Sequence, residues 1–269
     1  MSSLTLHEVA AELGVHYMTV YRYVRLGYLS AHKDGGTWLV ERQALDDFKQ
    51  PSAGARSGGG ATAWDERLVL RLLAADQPGS WKLIEAAQAS GKGLRELYLE
   101  LVIPAMRAVG ERWAAGEVTV AEEHAASQVM VRILSRLSAQ ISRRGVSKGT
   151  LVVGTPHTEL HVLPLMMAAD LFRIEGFEVL DLGCNLPSSS FAEIATRQQR
   201  LVAVGVSATL PDQVDAIRET VAALRAAVDV PIFLGGSAID GPEHAKLLGA
   251  DFGAPTAEEI IPELLALVG

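Results

Sequence analysis

Between residues 154 and 164 the chain reads GTPHTELHVLP, and these residue types can bind a metal. Glu159 lies two positions before His161. A carboxylate that accepts the hydrogen bond of one imidazole nitrogen fixes the tautomer and makes the other nitrogen a better metal ligand. Pro164 closes the motif. Two further signals follow along the chain. Ser207 and Thr209, in VGVSATL, carry small hydroxyls able to line a narrow channel and donate to a buried base. Gly235 and Gly236, in FLGGSAI, lack the side chains that would keep a flat group away from the backbone. Each signal alone is weak, because many loop histidines are structural and many strands end in Gly-Gly. Upstream, Trp113 is followed after nine residues by Glu123-His124. In isolation these read as a core tryptophan and a solvated helix face.

The elements around these residues give them a common location. From Thr150 onward, TLVVGT, FEVLDLG, LVAVGVS, VPIFLGG and ADFG are apolar runs suited to strands buried on both faces, separated by helical stretches. Repeated strand–helix alternation predicts a doubly wound parallel sheet of the Rossmann-like, flavodoxin type over residues 148–269. Ligands of such sheets sit beyond the carboxyl ends of the strands, so the Glu-x-His, Ser-x-Thr and Gly-Gly loops all fall at the binding edge. Before the sheet, residues 64–147 carry four amphipathic runs with apolar residues at helical spacing, which predicts a four-helix bundle. Ser80 and Thr119 read as N-caps, and glycines 91, 116 and 145 as stops.

Residues 51–63, PSAGARSGGGATA, read as a flexible linker that isolates residues 1–50. Within that N-terminal block, LTLHEVAAELGVHYMTVYRYVRLGYL predicts two short helices joined at Gly14-Val15. Leu6, Val9, Ala10 and Leu13 form the buried stripe of the first; Val20, Val24 and Leu26 form that of the second. A strand, an Asp-Gly-Gly turn, a second strand and a closing helix follow. This is the layout of a winged helix-turn-helix. His16, Thr19, Arg22 and Tyr23 would face outward on the second helix, with Arg25 and Lys33 adding positive charge, in reach of bases and phosphates. A Tyr21/Tyr23 pair partly in the core is the alternative for those rings.

The 269 residues are 49% hydrophobic and 21% charged, an ordinary globular balance. A net charge of −8 argues against nucleic-acid binding over the whole surface, though not against a local reader. The single cysteine, Cys184, excludes an intrachain disulfide and a multi-cysteine metal site. With no apolar run near the roughly 20 residues that span a bilayer, and no signal-peptide pattern, a cytoplasmic protein without membrane contact is expected.

The motifs resemble known families. EVAAELGV–TVYRYVRLGYLSAHKDGGTWLV is similar to the excisionase and MerR-like DNA-binding domains. Glu-x-His-x-x-Pro, then Ser-x-Thr, then Gly-Gly resembles the cobalamin-binding fold of methionine synthase and the methyltransferase corrinoid proteins, with Pro164 where those carry glycine. The Trp113-x9-Glu123-His124 spacing resembles light-sensing adenosylcobalamin regulators of the CarH/LitR type. The resemblance implies that His161 is the lower cobalt ligand and displaces the cofactor's own base into a slot lined by Ser207, Thr209, Gly235 and Gly236. It also implies that Trp113, Glu123 and His124 pack over the adenosyl group, where an aromatic shelf, a carboxylate and an imidazole can hold a ribose and adenine. A non-enzymatic regulator follows, which binds operator DNA, forms a homo-oligomer (dimer or tetramer) and disassembles in light. One departure bears on mechanism. That family places a histidine directly after the tryptophan to capture cobalt after photolysis, and here the residue is Ala114. A lit state with two histidines on cobalt then requires His124 or His157. Two alternatives stand beside this reading: a corrinoid carrier for methyl transfer, and a cobalamin photoreceptor with a second, linear tetrapyrrole chromophore.

Overall fold

The computed structural model describes residues 3–13, 17, 20, 21, 24, 29–34, 37–49, 64–141 and 145–269. His16, Thr19, Arg22, Tyr23, Arg25, the Gly14-Val15 turn, Leu26 and the linker 51–63 lie outside them. The chain divides into two compact units. One comprises Met1–Leu83 with Leu101–Val129, the other Ile84–Glu100 with Met130–Gly269. Among the described residues, no helix is long and apolar enough to cross a membrane.

In the first unit, strand β1 (Ser3–Thr5) runs straight into a helix, Leu6–Leu13. The junction is a capping box: the Thr5 hydroxyl accepts from the Glu8 amide, and the Glu8 carboxylate accepts from the Thr5 amide at 2.8 Å. The helix was expected but β1 was not. Three residues are too few to show an alternating pattern; β1 pairs antiparallel with β3 (Thr37–Glu41). β2 (His32–Asp34) pairs with β3 on the other side, with Asp34 opposite Thr37; Gly35 and Gly36 of the expected turn lie outside the described residues. A helix, Arg42–Lys49, closes the module. Leu6, Val9, Ala10, Val20, Val24, Leu29, Val40 and Leu45 form its core, with Leu13 and Tyr21 packed half-buried against it.

The helical runs follow. Trp64–Leu73 lies beside Ile103–Ala114, joined by the Arg112–Glu66 ion pair at 2.6 Å. The next helix, Gln77–Ala89, starts earlier than expected. Its cap is Asp76, whose carboxylate accepts from the Gly79 amide at 2.9 Å. Ser80, expected as the cap, is instead inside the helix and fully buried, with no hydrogen-bond partner for its hydroxyl among the described residues. Leu94–Leu97 continues into a π-helical turn, Tyr98–Val102. Pro104 explains the turn: it has no amide hydrogen and its ring crowds the carbonyl four residues back, so the helix widens there. Val120–Ser138 starts at a second capping box between Thr119 and Glu122, as expected for Thr119. Gly91, Gly116 and Gly145 all take left-handed backbone angles, which suits their role as stops.

In the second unit, β4 (Thr150–Gly154), β5 (Glu178–Asp181), β6 (Leu201–Ser207), β7 (Ile232–Gly235) and β8 (Phe252–Ala254) form one parallel sheet in the order β5-β4-β6-β7-β8. This is the expected doubly wound, flavodoxin-type sheet. β4 is buried throughout, whereas β5, at the edge, alternates between exposed and half-buried positions and is not the doubly buried strand its apolar run suggested.

Candidate functional site

β4 and β6 are parallel neighbours, with β5 on the far side of β4, so the chain leaves β4 and β6 toward opposite sides of the sheet. The crevice beyond their carboxyl ends is where such sheets bind ligands. The loop after β4 carries Glu159 and His161; the loop after β6 carries Thr209.

Glu159 is fully buried between these loops. One carboxylate oxygen, Oε1, faces the His161 ring nitrogen Nδ1 at 2.6 Å and accepts from the His161 amide at 3.0 Å. The other, Oε2, accepts from the Thr209 amide at 2.7 Å, the Thr209 hydroxyl at 2.8 Å and the Leu210 amide at 3.2 Å. The Thr209 hydroxyl also lies 2.9 Å from His161 Nδ1. Burial alone would raise the Glu159 carboxyl. The hydrogen bonds from the His161 ring and amide and from the Thr209 amide outweigh it and hold the pKa at about 2. Glu159 is therefore an acceptor at neutral pH, so Nδ1 carries the ring proton and Nε2 presents its lone pair. The His161 side chain is 53% exposed, which leaves Nε2 available to a metal.

The sequence alone did not reveal what holds this loop. The buried Thr155 hydroxyl donates to the Glu159 carbonyl at 3.0 Å and accepts from the Asn185 amide at 2.9 Å. Asn185, at φ 61°, returns its side-chain oxygen to the Thr158 amide at 2.9 Å, and Thr158 itself sits at φ 72°. A β-branched residue there is strained, and these bonds over-determine it. The available signal was Asn185 two residues before Pro187, a turn pattern that tolerates left-handed backbone.

The other expected residues fall at the same edge. His161 is the N-cap of the helix Val162–Ile174, which makes Pro164 its third residue, a position whose amide hydrogen has no partner within the helix in any case. Ser207 ends β6 opposite Gly235. Gly236 has φ +104°, and a Cβ there would meet the Ala208 carbonyl oxygen at 2.2 Å. Its lack of a side chain is thus already required by the β6 loop, beyond any ligand. Thr209 does more than line a channel, since its hydroxyl joins Glu159 and His161.

In the first unit, Trp113 is half-buried at the end of its helix rather than a sealed core residue. Glu123 and His124 stand in the opening turns of Val120–Ser138. Glu123 Oε2 lies 2.9 Å from His124 Nδ1, and its Oε1 accepts from the Ser127 hydroxyl at 2.7 Å. His124 is 74% exposed. Ala114 is fully buried and joins the apolar cluster of the N-terminal module. Lys33, the one expected DNA contact among the described residues, is exposed on β2 with its ammonium 5.1 Å from the Trp38 ring centre.

Comparison with known proteins agrees with this layout. Residues 3–51 match a helix-turn-helix domain family. Residues 64–138 and 149–265 each match a B12 binding domain family. The chain is 30% identical over 181 residues to the HTH-type transcriptional repressor CarH of Myxococcus xanthus, a match covering 66% of this chain and 59% of that protein. It is 25% identical over 199 residues to trimethylamine corrinoid protein 1 of Methanosarcina acetivorans, covering 72% of this chain and 91% of that protein. In fold it resembles the monomethylamine corrinoid protein of Methanosarcina barkeri, with a TM-score of 0.61 at 18% identity, over 76% of this chain and 97% of that one.

Proposed function

From the premise that this chain is a CarH-like protein, a helix-turn-helix domain followed by two B12 binding domains, we propose that it is a transcription regulator that uses adenosylcobalamin to couple light to self-assembly and DNA binding. The observation that carries this reading is the Glu159–His161–Thr209 arrangement beyond β4 and β6, in a chain that also carries a DNA-binding domain. A metal whose equatorial positions are filled by a macrocycle asks the protein for one axial donor. The chain presents one imidazole with its tautomer fixed by a buried carboxylate, and that donor set fits.

When bound, the cofactor supplies a light-sensitive cobalt–carbon bond and a bulky upper substituent. His161 would offer Nε2 to the cobalt. Ser207, Thr209, Gly235 and Gly236 border the slot for the displaced base, with Pro164 setting the start of the helix behind it. Trp113, Glu123 and His124 would hold the substituent that light removes. With Ala114 after the tryptophan, that position would offer no imidazole to the cobalt after light removes the upper substituent. His16, Thr19, Arg22, Tyr23, Arg25 and Lys33 contact DNA, and assembly into a dimer or tetramer offsets weak binding per copy. A ligand controls DNA affinity only through its different affinity for the assembly states, so the cap is where that difference must arise.

The test is a visible spectrum with adenosylcobalamin in the dark and after green light. It is paired with size-exclusion chromatography and with binding to a duplex selected from a random pool. Light-dependent changes in all three are expected; a spectrum that ignores light overturns the photoreceptor. A second reading, a corrinoid carrier for methyl transfer, is favoured by the near-complete coverage of the trimethylamine corrinoid protein. Methyl transfer upon adding a methyltransferase partner would select it.

A further inference from the structure

A second polar cluster lies away from the loops, in the interior of the second unit. Asp170 is 1% exposed and Tyr98 is fully buried. The Tyr98 hydroxyl donates to Asp170 Oδ2 at 2.5 Å, and the Ser138 hydroxyl donates to Oδ1 at 2.9 Å. Arg173 donates to the same Oδ1 at 2.7 Å and to the Val179 carbonyl at 3.1 Å. A surface ion pair, Arg95–Glu175 at 3.1 Å, ties the same two segments together one turn further on. Burial, helped by the Asp170 carboxylate, pushes the Tyr98 hydroxyl well above its usual range, so it remains a donor.

The three elements that meet here give the cluster its interest. Asp170 sits on Val162–Ile174, the helix that His161 caps. Ser138 is the last residue of Val120–Ser138, the helix that carries Glu123 and His124 about 22 Å earlier along its axis. Tyr98 opens the π-helical turn. One end of each long helix carries a candidate cofactor group, and the joint falls at the other end. An apolar contact would allow sliding, whereas a buried carboxylate with fixed donors has few satisfied geometries, because each broken bond strands a buried polar atom.

We propose that the Tyr98–Asp170–Ser138 joint mechanically couples the cap pair Glu123–His124 to the cobalt-ligand residue His161. Tyr98, Asp170 and Ser138 are positioning residues, and the proposal rests on the cofactor reading above.

The experiment is a double-mutant cycle on the full chain, with adenosylcobalamin affinity in the dark read by absorbance titration of wild type, His124→Ala, Tyr98→Phe and the double variant. Independent distant sites give multiplicative effects. Coupling predicts that the loss caused by His124→Ala in the wild-type background shrinks at least about 5-fold in the Tyr98→Phe background, a difference of about 1 kcal/mol at RT of 0.59 kcal/mol. Multiplicative effects within 2-fold overturn the joint. An His124→Ala variant that binds like wild type overturns it too, since there is then no cap signal to carry. Should Tyr98→Phe not fold, Ser138→Ala removes another Asp170 donor and carries the same expectation. His161→Ala as a fifth protein separates the two claims. Unchanged affinity there removes the cofactor reading itself, whereas a loss there with a multiplicative cycle removes only the joint.

Discussion

At the scale of residues, the chemistry of the site depends on which nitrogen of His161 carries the proton. Glu159 decides this because it is buried, ionised and already holds four other donors from His161, Thr209 and Leu210. Thr209 is the least obvious member. Its spacing from Ser207 marked it as a channel residue, yet its hydroxyl bridges the carboxylate and the imidazole. Sequence could place Thr209 in the right loop but could not foresee a bond to a residue 50 positions away, because the register between β4 and β6 determines it. Removal of outer partners of a metal ligand commonly costs 10–100-fold in affinity. Thr209→Val should therefore weaken hydroxocobalamin binding by roughly 10-fold while Thr209→Ser restores most of it, as read by absorbance titration. Equal binding by wild type and the valine variant would reduce Thr209 to a lining residue.

At the scale of elements, patterns with a long period were legible and short or tertiary ones were not. The five strands of the parallel sheet, the amphipathic helices and the Thr119 cap followed from periodicity and cap chemistry. β1 has three residues, and its pairing with β3 is a long-range contact that no local pattern announces. The π-helical turn arises from one proline. Asp170 carries a signal of its own: it is the only acidic residue in VLPLMMAADLFRI, a run whose other charged residue, Arg173, follows three positions later. A charge on a buried helix face needs partners, and Tyr98, Ser138 and Arg173 supply them. Two predictions belong here. Gly236→Ala forces a Cβ onto the Ala208 carbonyl at a left-handed backbone angle, so a loss of at least about 2 kcal/mol in urea unfolding is expected. Tyr98 gives a pH signature. Its folded pKa is raised above the ordinary value of 10, so its contribution is complete below pH 10 and is lost as pH rises beyond it. The stability gap between wild type and Tyr98→Phe should therefore narrow above pH 10; a gap that holds constant would mean that Tyr98 ionises alike in both states.

At the scale of the whole molecule, a DNA-binding domain and a cobalamin module share one chain, and the sequence made both visible through their motifs. Each motif reads a different kind of constraint: the winged helix-turn-helix a compact core of apolar residues, the cofactor loops a set of strand ends brought to one edge. The residues expected to touch DNA follow no packing pattern in the sequence, so only an expected helix face, and for Lys33 the hairpin, placed them. The proposed function depends on one bond, which His161 Nε2 would make to cobalt. Its most direct test is electron paramagnetic resonance of the bound cofactor reduced to cobalt(II), using protein labelled with nitrogen-15 at histidine only. A nitrogen-15 axial ligand splits the cobalt lines into doublets, whereas the cofactor's own nitrogen-14 base splits them into triplets. Doublets in the wild type that disappear in His161→Ala are the expected result, and triplets in the labelled wild type would contradict the account.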